Sequence, residues 1–577
     1  MKAICLFCVL VVAHVLMVFG RSIPISIWTP FSLLWQDAAV GLLFGILDWG
    51  LAKLEWPHLS WILYATLVGY ISINVAVARI LSSPLTWTMI HAARGPLRDS
   101  ITHYISLAYL VPVVLTAGSG VLLPALFVRS EFRPGRTLRT ILILAAGCLI
   151  AIGPYADTKI ATVGIERNAF GALLPVRISR AASRLNSQWR SSPFAAMPAS
   201  SFASFSGVGK GRNVVLILLE SAAAQYLKPY GAVDDPMPNL TRLAAESIVF
   251  DNAYAVYPES IRELFATLCS RYPLFGTATE SYASAPCSSL SEIFHDAGYR
   301  TGLFHSGRFM YLGMQSVIEK RGFDTLEDAG AIGGNVNSSF GVDEPAAVAR
   351  ILSWIDATPA GQPFLVTYLP VAGHHPYATP EPGPFPNDSD LNQYRNALHY
   401  GDKSLGTLLD GLRERGLDRN TLYVIFGDHG EAFGQHDGNY GHSLFIYDEN
   451  IRVPYIVAAP GLIRQSFRSN AAASVIDTAP TILDILGLPV PPGFQGESLL
   501  QPAQQMTLFF TDYSLGFLGL RDGCWKYIFE TGSTHSKLFN ACEDPGESRD
   551  LAPKELERVQ AYRSKVEGWI SAAGSIH

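Results

Sequence analysis

The sequence lacks the features that mark nucleic-acid-binding and disordered proteins. Its 43 Lys and Arg residues are balanced by 49 Asp and Glu residues, which gives a formal net charge of −6 over 577 residues. This balance indicates no basic binding surface, so we expect no nucleic-acid partner. The chain also has no internal repeat and no Gly-rich, Gln-rich or acidic low-complexity tract. A chain of this length is expected to form at least two domains.

Acidic residues are scarce in the first 155 residues, where apolar runs dominate. Five runs each approach the ~20 residues needed to cross a bilayer. They are residues 3–20, 31–52, 59–80, 105–128 and 138–155. The first run has a cleaved signal peptide as its alternative, but the spans behind it favour a retained helix. The second contains or borders Asp37 and Asp48, so its alternative is an interfacial helix.

A short basic loop, RSEFRPGRTLR, separates the last two runs. Its arginines are Arg129, Arg133, Arg136 and Arg139. Such a loop favours the cytoplasmic side, so one further span would carry the rest of the chain outside. Three arginines in the loop after the third run weaken this argument without reversing it. We predict a multi-pass protein of the cytoplasmic (inner) membrane, with a transmembrane domain (1–155), a connector (156–210) and an extracytoplasmic domain (211–577).

The expected extracytoplasmic part contains an even number of cysteines. They are Cys269, Cys287, Cys524 and Cys542. An oxidising compartment would allow two disulfides, and sequence proximity favours Cys269–Cys287 and Cys524–Cys542. The alternative is four buried free thiols.

From residue 211 onwards, short apolar runs alternate with helical patterns. The runs predict buried parallel strands at 213–220, 301–307, 363–370, 421–428 and 453–461. Helices are predicted at 238–247, 344–356 and 396–416. This alternation predicts a parallel α/β sheet with helices on both faces.

Polar side chains stand where the predicted strands end. They are Glu220, His305, His374, Asp428 and His429. Functional groups gather beyond the carboxyl ends of strands in such sheets. An Asp–His pair directly after an apolar strand favours a cation site over a solvated loop charge, and Glu220 ends another apolar run. We therefore expect Glu220, Asp428 and His429 to surround one divalent metal.

The segment AVYPESIRELFATLCSRYP contains the candidate nucleophile, Ser260. Ser260 and Glu263 have the spacing of a capping box, so Ser260 is expected to cap a helix that begins after Pro258. A hydroxyl at a helix N-terminus also lies where backbone N–H groups stabilise anions, and a nearby metal would lower its pKa. Spacing does not decide between the cap and the nucleophile.

Three histidines lie in Gly-, Ser- or Pro-rich loops, namely His305, His374 and His442. A lone loop histidine is usually a surface group. Three near strand ends instead suggest stabilisation of the transition state or protonation of a leaving group. His375 and His436 are weaker candidates for these roles.

An ordered set of motifs over about residues 213–555 resembles the sulfatase/alkaline phosphatase superfamily. The motifs are NVVLILLES, MPNLTRLAAESIVFDNAYAV, GYRTGLFHSG, GHHPY, FGDHGEAFGQHDGNYGHSLFIYDENIRVPYIVAAPG, SVIDTAPTILDILGL and DGCWKYIF…LFNACEDPGESRDLA. The membrane-anchored branch, lipoteichoic acid synthases and phosphoethanolamine transferases, is the most similar. This resemblance implies a bundle of about five transmembrane helices and an alkaline-phosphatase-like mixed, mostly parallel sheet flanked by helices.

The resemblance also implies residue roles. The metal site of that branch corresponds to Glu220, Ser260, Asp428 and His429, with Ser260 in place of a Thr nucleophile. His374 matches the histidine of an H-x-P motif, and His442 matches a later histidine of the transferases. We assign catalytic roles to Ser260, His374 and His442. Substrate contacts are expected from His305, Arg262 and His374.

Departures from the family pattern bear on the reaction. The chain has no C-x-P-S-R or S-x-P-S-R, which disfavours a formylglycine sulfatase, whereas its C-terminal motif is more similar to sulfatases and phosphonate monoester hydrolases. We expect an enzyme that transfers phosphoglycerol or phosphoethanolamine from a membrane phospholipid to a glycan, a lipid or water. The expected cofactor is Zn²⁺ or Mn²⁺ in preference to Ca²⁺. The alternatives are a sulfuric-ester or phosphonate/phosphodiester hydrolase, and a non-catalytic sensor.

Overall fold

A computed structural model describes the chain except for residues 22, 24, 82, 93–104, 131–134, 161, 163, 175–188, 195–200, 278, 335–342, 502–505 and 574–577. Arg133 and parts of the predicted connector therefore lie outside the described residues. The first part of the chain is helical. Its helices are α1 (Lys2–Val18), α2 (Thr29–Lys53), α3 (Pro57–Leu81), α4 (Trp87–Ala92), α5 (Leu107–Arg129) and α6 (Arg136–Asp157).

Four helices within the described residues, α2, α3, α5 and α6, are long and apolar enough to cross a membrane. The fifth predicted run forms α1, which is apolar but has 17 residues. Each predicted run thus forms a helix, and four of the five are confirmed as membrane-span candidates. The domain boundaries at residues 155 and 210 stay predictions.

Both acids of α2 have partners, one inside the bundle and one near its surface. Asp37 is fully buried, and its carboxylate lies 2.6 Å from His14 Nδ1 and also accepts from the Asn168 amide. The Lys2 ammonium donates to Asp48 over 2.8 Å. A buried acid needs such partners to offset its desolvation, and these contacts supply them within an apolar helix.

The remaining helices are α7 (Pro238–Ala244), α8 (Ser260–Cys269), α9 (Leu290–Asp296), α10 (Met314–Ile318), α11 (Ala329–Ile332), α12 (Glu344–Asp356), α13 (Asp390–Glu414), α14 (Asp448–Ile451), α15 (Thr478–Leu486) and α16 (Leu556–Ala573). Of these helices, α12, α13 and α16 have more than ten residues. The strands are β1 (Asn213–Leu219), β2 (Ser247–Tyr254), β3 (Arg300–His305), β4 (Thr325–Glu327), β5 (Phe364–Leu369), β6 (Thr421–Gly427), β7 (Ala432–Phe433), β8 (Tyr440–Gly441), β9 (Arg452–Val453), β10 (Tyr455–Ala458), β11 (Phe467–Ser474), β12 (Thr507–Thr511), β13 (Phe517–Asp522), β14 (Trp525–Glu530) and β15 (Ser536–Asn540).

The main sheet is mixed and mostly parallel, as expected. Its strand order is β11-β2-β10-β6-β1-β5-β3-β4, with β9 paired to β2. Every residue of β1, β5 and β6 is buried, because helices cover both faces of the sheet.

The prediction of a parallel strand at 453–461 is wrong. The strand found there, β10, pairs antiparallel with both β2 and β6. A parallel neighbour would require a crossover back to the opposite edge of the sheet. After β6 the chain instead forms the β7–β8 ribbon and α14 and then re-enters the sheet as β10.

Two further features complete the second part of the chain. The strands β12 to β15 form a separate antiparallel sheet, against which α16 packs. Both predicted disulfides, Cys269–Cys287 and Cys524–Cys542, are present in the structure. The first joins the end of α8 to the segment before α9, so it restrains the helix that begins at Ser260.

Candidate metal centre and active site

The carboxyl ends of β1 and β6 place two acids side by side. The strands pair in parallel up to Leu219 and Gly427, so Glu220 and Asp428 are the next residue of each. The Asp428 N–H donates to the Leu219 carbonyl over 3.1 Å. Asp428 Oδ1 accepts from the backbone N–H of Ser221 (2.9 Å) and from its own neighbour His429 (2.7 Å). These backbone contacts fix the Asp428 carboxylate beside β1.

The nucleophile candidate begins α8, but it is not the helix cap. The cap is Glu259, whose carboxylate accepts from the Ile261 N–H over 3.3 Å. Glu263 accepts from two backbone N–H groups of the preceding loop. The predicted capping box at Ser260 is therefore wrong, because the cap lies one residue earlier. The Ser260 hydroxyl is left to contact the strand ends.

Four donor groups converge at this edge of the sheet. Ser260 Oγ lies 3.0 Å from Glu220 Oε2 and 3.1 Å from His429 Nε2. His429 Nε2 lies 3.6 Å from both Glu220 Oε1 and Asp428 Oδ2. Ligands of a tetrahedral zinc site with bonds of about 2.0–2.1 Å stand roughly 3.3 Å apart. The predicted set therefore fits a small divalent ion.

The imidazole of His429 has the tautomer that a metal ligand requires. Its Nδ1 faces the Gly430 carbonyl at 3.0 Å, and a carbonyl only accepts, so Nδ1 carries the proton. The lone pair of Nε2 then faces Glu220 and Ser260. Burial lowers the pKa of His429 well below its ordinary value, which keeps the ring neutral.

The two acids repel each other in this buried setting. Burial and the nearby Asp428 charge raise the pKa of Glu220 well above its ordinary value. Burial also raises the pKa of Asp428 to about 6. A divalent cation between the two carboxylates would neutralise this repulsion, and the donor chemistry therefore agrees with the distances.

Glu431 is a site residue that the sequence interpretation missed. Its Oε2 lies 2.8 Å from His442 Nδ1, and its Oε1 accepts from the Tyr377 hydroxyl. The His442 ring lies 4.2 Å from the His429 ring, and His429, Glu431 and His442 place ligand atoms within 4.8 Å of one another. The motif FGDHGE already contained this acid, three residues after Asp428.

The other two histidines also lie at the carboxyl edge. The ring of His374 is 6.3 Å from that of His442, whereas His305 ends β3 and its Nδ1 is 2.9 Å from the Leu369 carbonyl. Burial lowers the pKa of both His305 and His374. Gly373 has a φ of +112°, and a Cβ there would lie 2.4 Å from the Glu220 carbonyl. Glycine thus lets the His374 loop pack directly on the end of β1.

Arg262 has partners within the protein. Its guanidinium donates to Asp512 Oδ1 over 2.6 Å and to the Thr277 carbonyl over 2.9 Å, and it lies 4.3 Å from the centre of the Tyr257 ring. These contacts anchor the first turn of α8. The predicted contact between Arg262 and substrate stays a prediction.

Comparison with known proteins finds relatives of this part of the chain. Residues 212–488 match the family model described as sulfatase. The lipoteichoic acid synthase-like protein YvgJ of Bacillus subtilis is 25% identical over 304 residues, which cover 49% of this chain and 48% of that protein. An ulvan-active sulfatase of Formosa agariphila is 26% identical over 328 residues, covering 50% of this chain and 64% of that protein. The chain thus spans less than two thirds of either relative.

A solved structure confirms the fold. The lipoteichoic acid synthase LtaP of Listeria monocytogenes superposes with a TM-score of 0.54 at 19% identity, covering 65% of this chain and 96% of that structure. At that identity the likeness supports the fold alone. Together with the family match, it confirms the resemblance predicted from the ordered motifs. Residues 212–488 are thus similar to the sulfatase family, and the fold is that of the solved lipoteichoic acid synthase.

Proposed function

We propose that the protein is a membrane-anchored, metal-dependent transferase of phospho-ester groups that forms a covalent intermediate on Ser260. One observation carries this proposal. The Ser260 hydroxyl lies at the start of α8 and within 3.1 Å of both Glu220 and His429. A hydroxyl in this position has a base beside it and the positive end of a helix dipole behind it, and both favour its ionisation.

The metal would be held by Glu220, Ser260, Asp428 and His429. A bound Zn²⁺ or Mn²⁺ favours the ionised form of a neighbouring hydroxyl and stabilises charge that develops on phosphoryl oxygens. The group formed by His429, Glu431 and His442 could hold a second ion. The compact donor set disfavours Ca²⁺, which takes six to eight oxygen ligands at longer distances.

The residues of the site can carry out both steps of the transfer, first from the donor to Ser260 and then from Ser260 to the acceptor. Ser260 Oγ attacks phosphorus while Glu220 accepts its proton, and the bond from phosphorus to the donor alcohol breaks. The departing alkoxide takes a proton from His442, which Glu431 holds in place, or from His374. The same histidine, now neutral, takes the proton of an acceptor hydroxyl as that oxygen attacks phosphorus. The Oγ–P bond breaks, and Glu220 returns its proton to Oγ.

The donor is proposed to be a membrane phospholipid that supplies phosphoglycerol or phosphoethanolamine, with a glycan, a lipid or water as acceptor. The membrane-span candidates and the relatives named as lipoteichoic acid synthases support this choice. We place the protein in the cytoplasmic (inner) membrane with its catalytic domain outside. In support, Arg129 ends α5 and Arg136 begins α6, on either side of the short basic loop.

A hydrolase of sulfuric esters, phosphonates or phosphodiesters is the second candidate. It is favoured by relatives such as the ulvan-active sulfatase and by the sulfatase-like C-terminal motif. Against sulfate chemistry stands the absence from the sequence of the motif that a formylglycine sulfatase requires.

The proposal predicts the behaviour of three serine variants. With bis(p-nitrophenyl) phosphate as substrate, Ser260→Ala should lower kcat/KM about 100-fold or more, because the nucleophile is lost. Ser260→Thr should retain turnover, since it keeps the hydroxyl. Ser353→Ala, a change on the exposed face of α12, is the control and should behave as the parent.

Two outcomes would contradict this mechanism. Full turnover by Ser260→Ala would exclude Ser260 as the nucleophile. Faster turnover of p-nitrophenyl sulfate than of the phosphodiester would favour the sulfuric-ester hydrolase.

A further inference from the structure

Five consecutive residues, Phe510 to Ser514, connect the catalytic centre with the helical part of the chain. We call residues 510–514 the bridging segment. At its start, the Phe510 N–H donates to the Val256 carbonyl over 2.9 Å. The Thr511 hydroxyl donates to the Ser443 carbonyl over 2.6 Å. Ser443 directly follows His442, so this contact reaches the proposed acid.

Asp512, in the middle of the bridging segment, contacts α8, the helix that begins at Ser260. Asp512 Oδ1 accepts from Arg262 over 2.6 Å and from the Tyr257 hydroxyl over 2.9 Å, and Oδ2 accepts from the Gly276 N–H. The side chains of Arg262 and Asp512 are each only 6% exposed. Arg262 lies two residues after Ser260, so this buried ion pair fixes the turn that carries the nucleophile.

The end of the bridging segment contacts the helical part. The Thr86 hydroxyl, between α3 and α4, donates to the Tyr513 carbonyl over 3.0 Å. Arg167, which follows α6, donates to the Ser514 carbonyl over 2.7 Å. The hydroxyls of Ser83 and Ser514 are also hydrogen-bonded to each other. Three side chains that follow α3 or α6 therefore hydrogen-bond to the adjacent residues Tyr513 and Ser514.

We infer that the bridging segment makes catalysis depend on docking to the membrane-spanning part, with Asp512 as the positioning residue. This inference rests on the proposed function of Ser260. A shift of the segment would move the nucleophile turn through Asp512 and the His442 loop through Thr511 together. A misplacement of about 1 Å in an active site lowers turnover about 100-fold, so even a partial shift is measurable.

The arrangement also suits a substrate that resides in a bilayer. The contacts from Thr86 and Arg167 fix the position of the candidate metal centre relative to the ends of α3 and α6. A second contact agrees with this placement, since the Arg21 guanidinium after α1 lies 3.9 Å from Asp437 in the β7–β8 ribbon. The ester of a donor lipid would then meet Ser260 without the lipid leaving the membrane.

The test uses the full chain and a water-soluble substrate, bis(p-nitrophenyl) phosphate, which does not need the membrane. Arg167→Met removes the contact on the helical side, and Asp512→Asn removes the charge that pairs with Arg262. We expect each change to lower kcat about tenfold with KM unchanged within about twofold. Because both act through one segment, the double variant should be no slower than the slower single variant.

Matched controls separate positioning from folding. Arg350→Met removes an arginine that pairs with Glu327 away from the bridging segment, and it should keep the parent kcat. Thr86→Val should lower kcat whereas Thr86→Ser should restore it, because only the serine keeps the donor. Bound metal and the unfolding midpoint are measured on every variant.

Three results would overturn the inference. In the first, Arg167→Met keeps the parental kcat and only its unfolding midpoint falls. In the second, the effects of Arg167→Met and Asp512→Asn on kcat add in the double variant. In the third, Thr86→Val and Thr86→Ser have equal kcat. Failure of the proposed function gives a different result, namely parental turnover that survives Ser260→Ala.

Discussion

At the residue scale, the candidate metal centre depends on how neighbouring groups orient Ser260 and His429. Glu259 caps α8 and Glu263 holds the preceding loop, so Ser260 has no structural task in the helix. The Gly430 carbonyl fixes the proton of His429 on Nδ1. The Ser260 hydroxyl and the Nε2 atom of His429 are therefore both directed at Glu220 and Asp428, which gives one compact donor set.

This donor set predicts that metal stabilises the protein and that Asp428 is required. Addition of Zn²⁺ or Mn²⁺ at about 100 times its dissociation constant should stabilise the fold by about 2.7 kcal/mol, because only the folded chain presents the site. The unfolding midpoint of the EDTA-treated protein should rise with added metal. Asp428→Asn should abolish the rise.

Asp356→Asn is the matched control for that experiment. Asp356 is exposed and pairs with Arg415, so the variant should respond to metal as the parent does. An equal metal response in Asp428→Asn and the parent would remove Asp428 from the site.

At the scale of elements, the strand ends could be predicted from the sequence and the connections could not. Apolar runs defined β1 and β6 within a residue of their observed ends, and hence placed Glu220 and Asp428 correctly. The direction of β10 depends on the path taken after β6, which periodicity does not encode. The cap of α8 lies one residue before the expected position, because the Ser260 hydroxyl contacts Glu220 and His429 while Glu259, which is not a preferred cap type, accepts from the helix. Glu431 was missed because the shared motif does not show that the β7–β8 ribbon folds His442 back onto its carboxylate.

A buried ion pair joins the C-terminal sheet, β12 to β15, to α14. Lys526 on β14 is fully buried, and its ammonium lies 2.7 Å from both Asp448 and Glu547. Lys526→Met would leave two uncompensated buried carboxylates, at a cost of about 3–5 kcal/mol. We expect a clearly lower unfolding midpoint, measured by calorimetry on the full chain.

Lys403→Met supplies the comparison for this prediction. Lys403 is exposed and lies 3.9 Å from Glu381, so its loss should change stability by less than about 0.5 kcal/mol. If Lys526→Met unfolded at the same temperature as Lys403→Met, the buried ion pair would not stabilise the sheet.

At the scale of the whole molecule, the helical part and the sheet are joined on one side of the bundle. The ends of α1, α3 and α6 carry contacts to the catalytic part through Arg21, Thr86 and Arg167. Lys2 and Arg136 lie at the opposite ends of α1 and α6. Arg21, Arg79 and Arg167 lie at or after the ends on the catalytic side, so the orientation stays a prediction from the basic loop.

The proposed orientation predicts the activity of fused reporters. Alkaline phosphatase fused after residue 210 should be active, because that point lies outside the cytoplasm in our proposal. The same reporter fused after residue 130, between α5 and α6, should be inactive. The reverse pattern would contradict the orientation and the count of spans.

The central claim, a phosphoryl group carried by Ser260, is tested most directly by intact-protein mass spectrometry. The full chain is incubated with a labelled phospholipid, quenched in acid and then digested to locate the label. We expect a labelled phospho-adduct on the peptide that contains Ser260, and none in Ser260→Ala. Active turnover in both proteins without any adduct on that serine would contradict it.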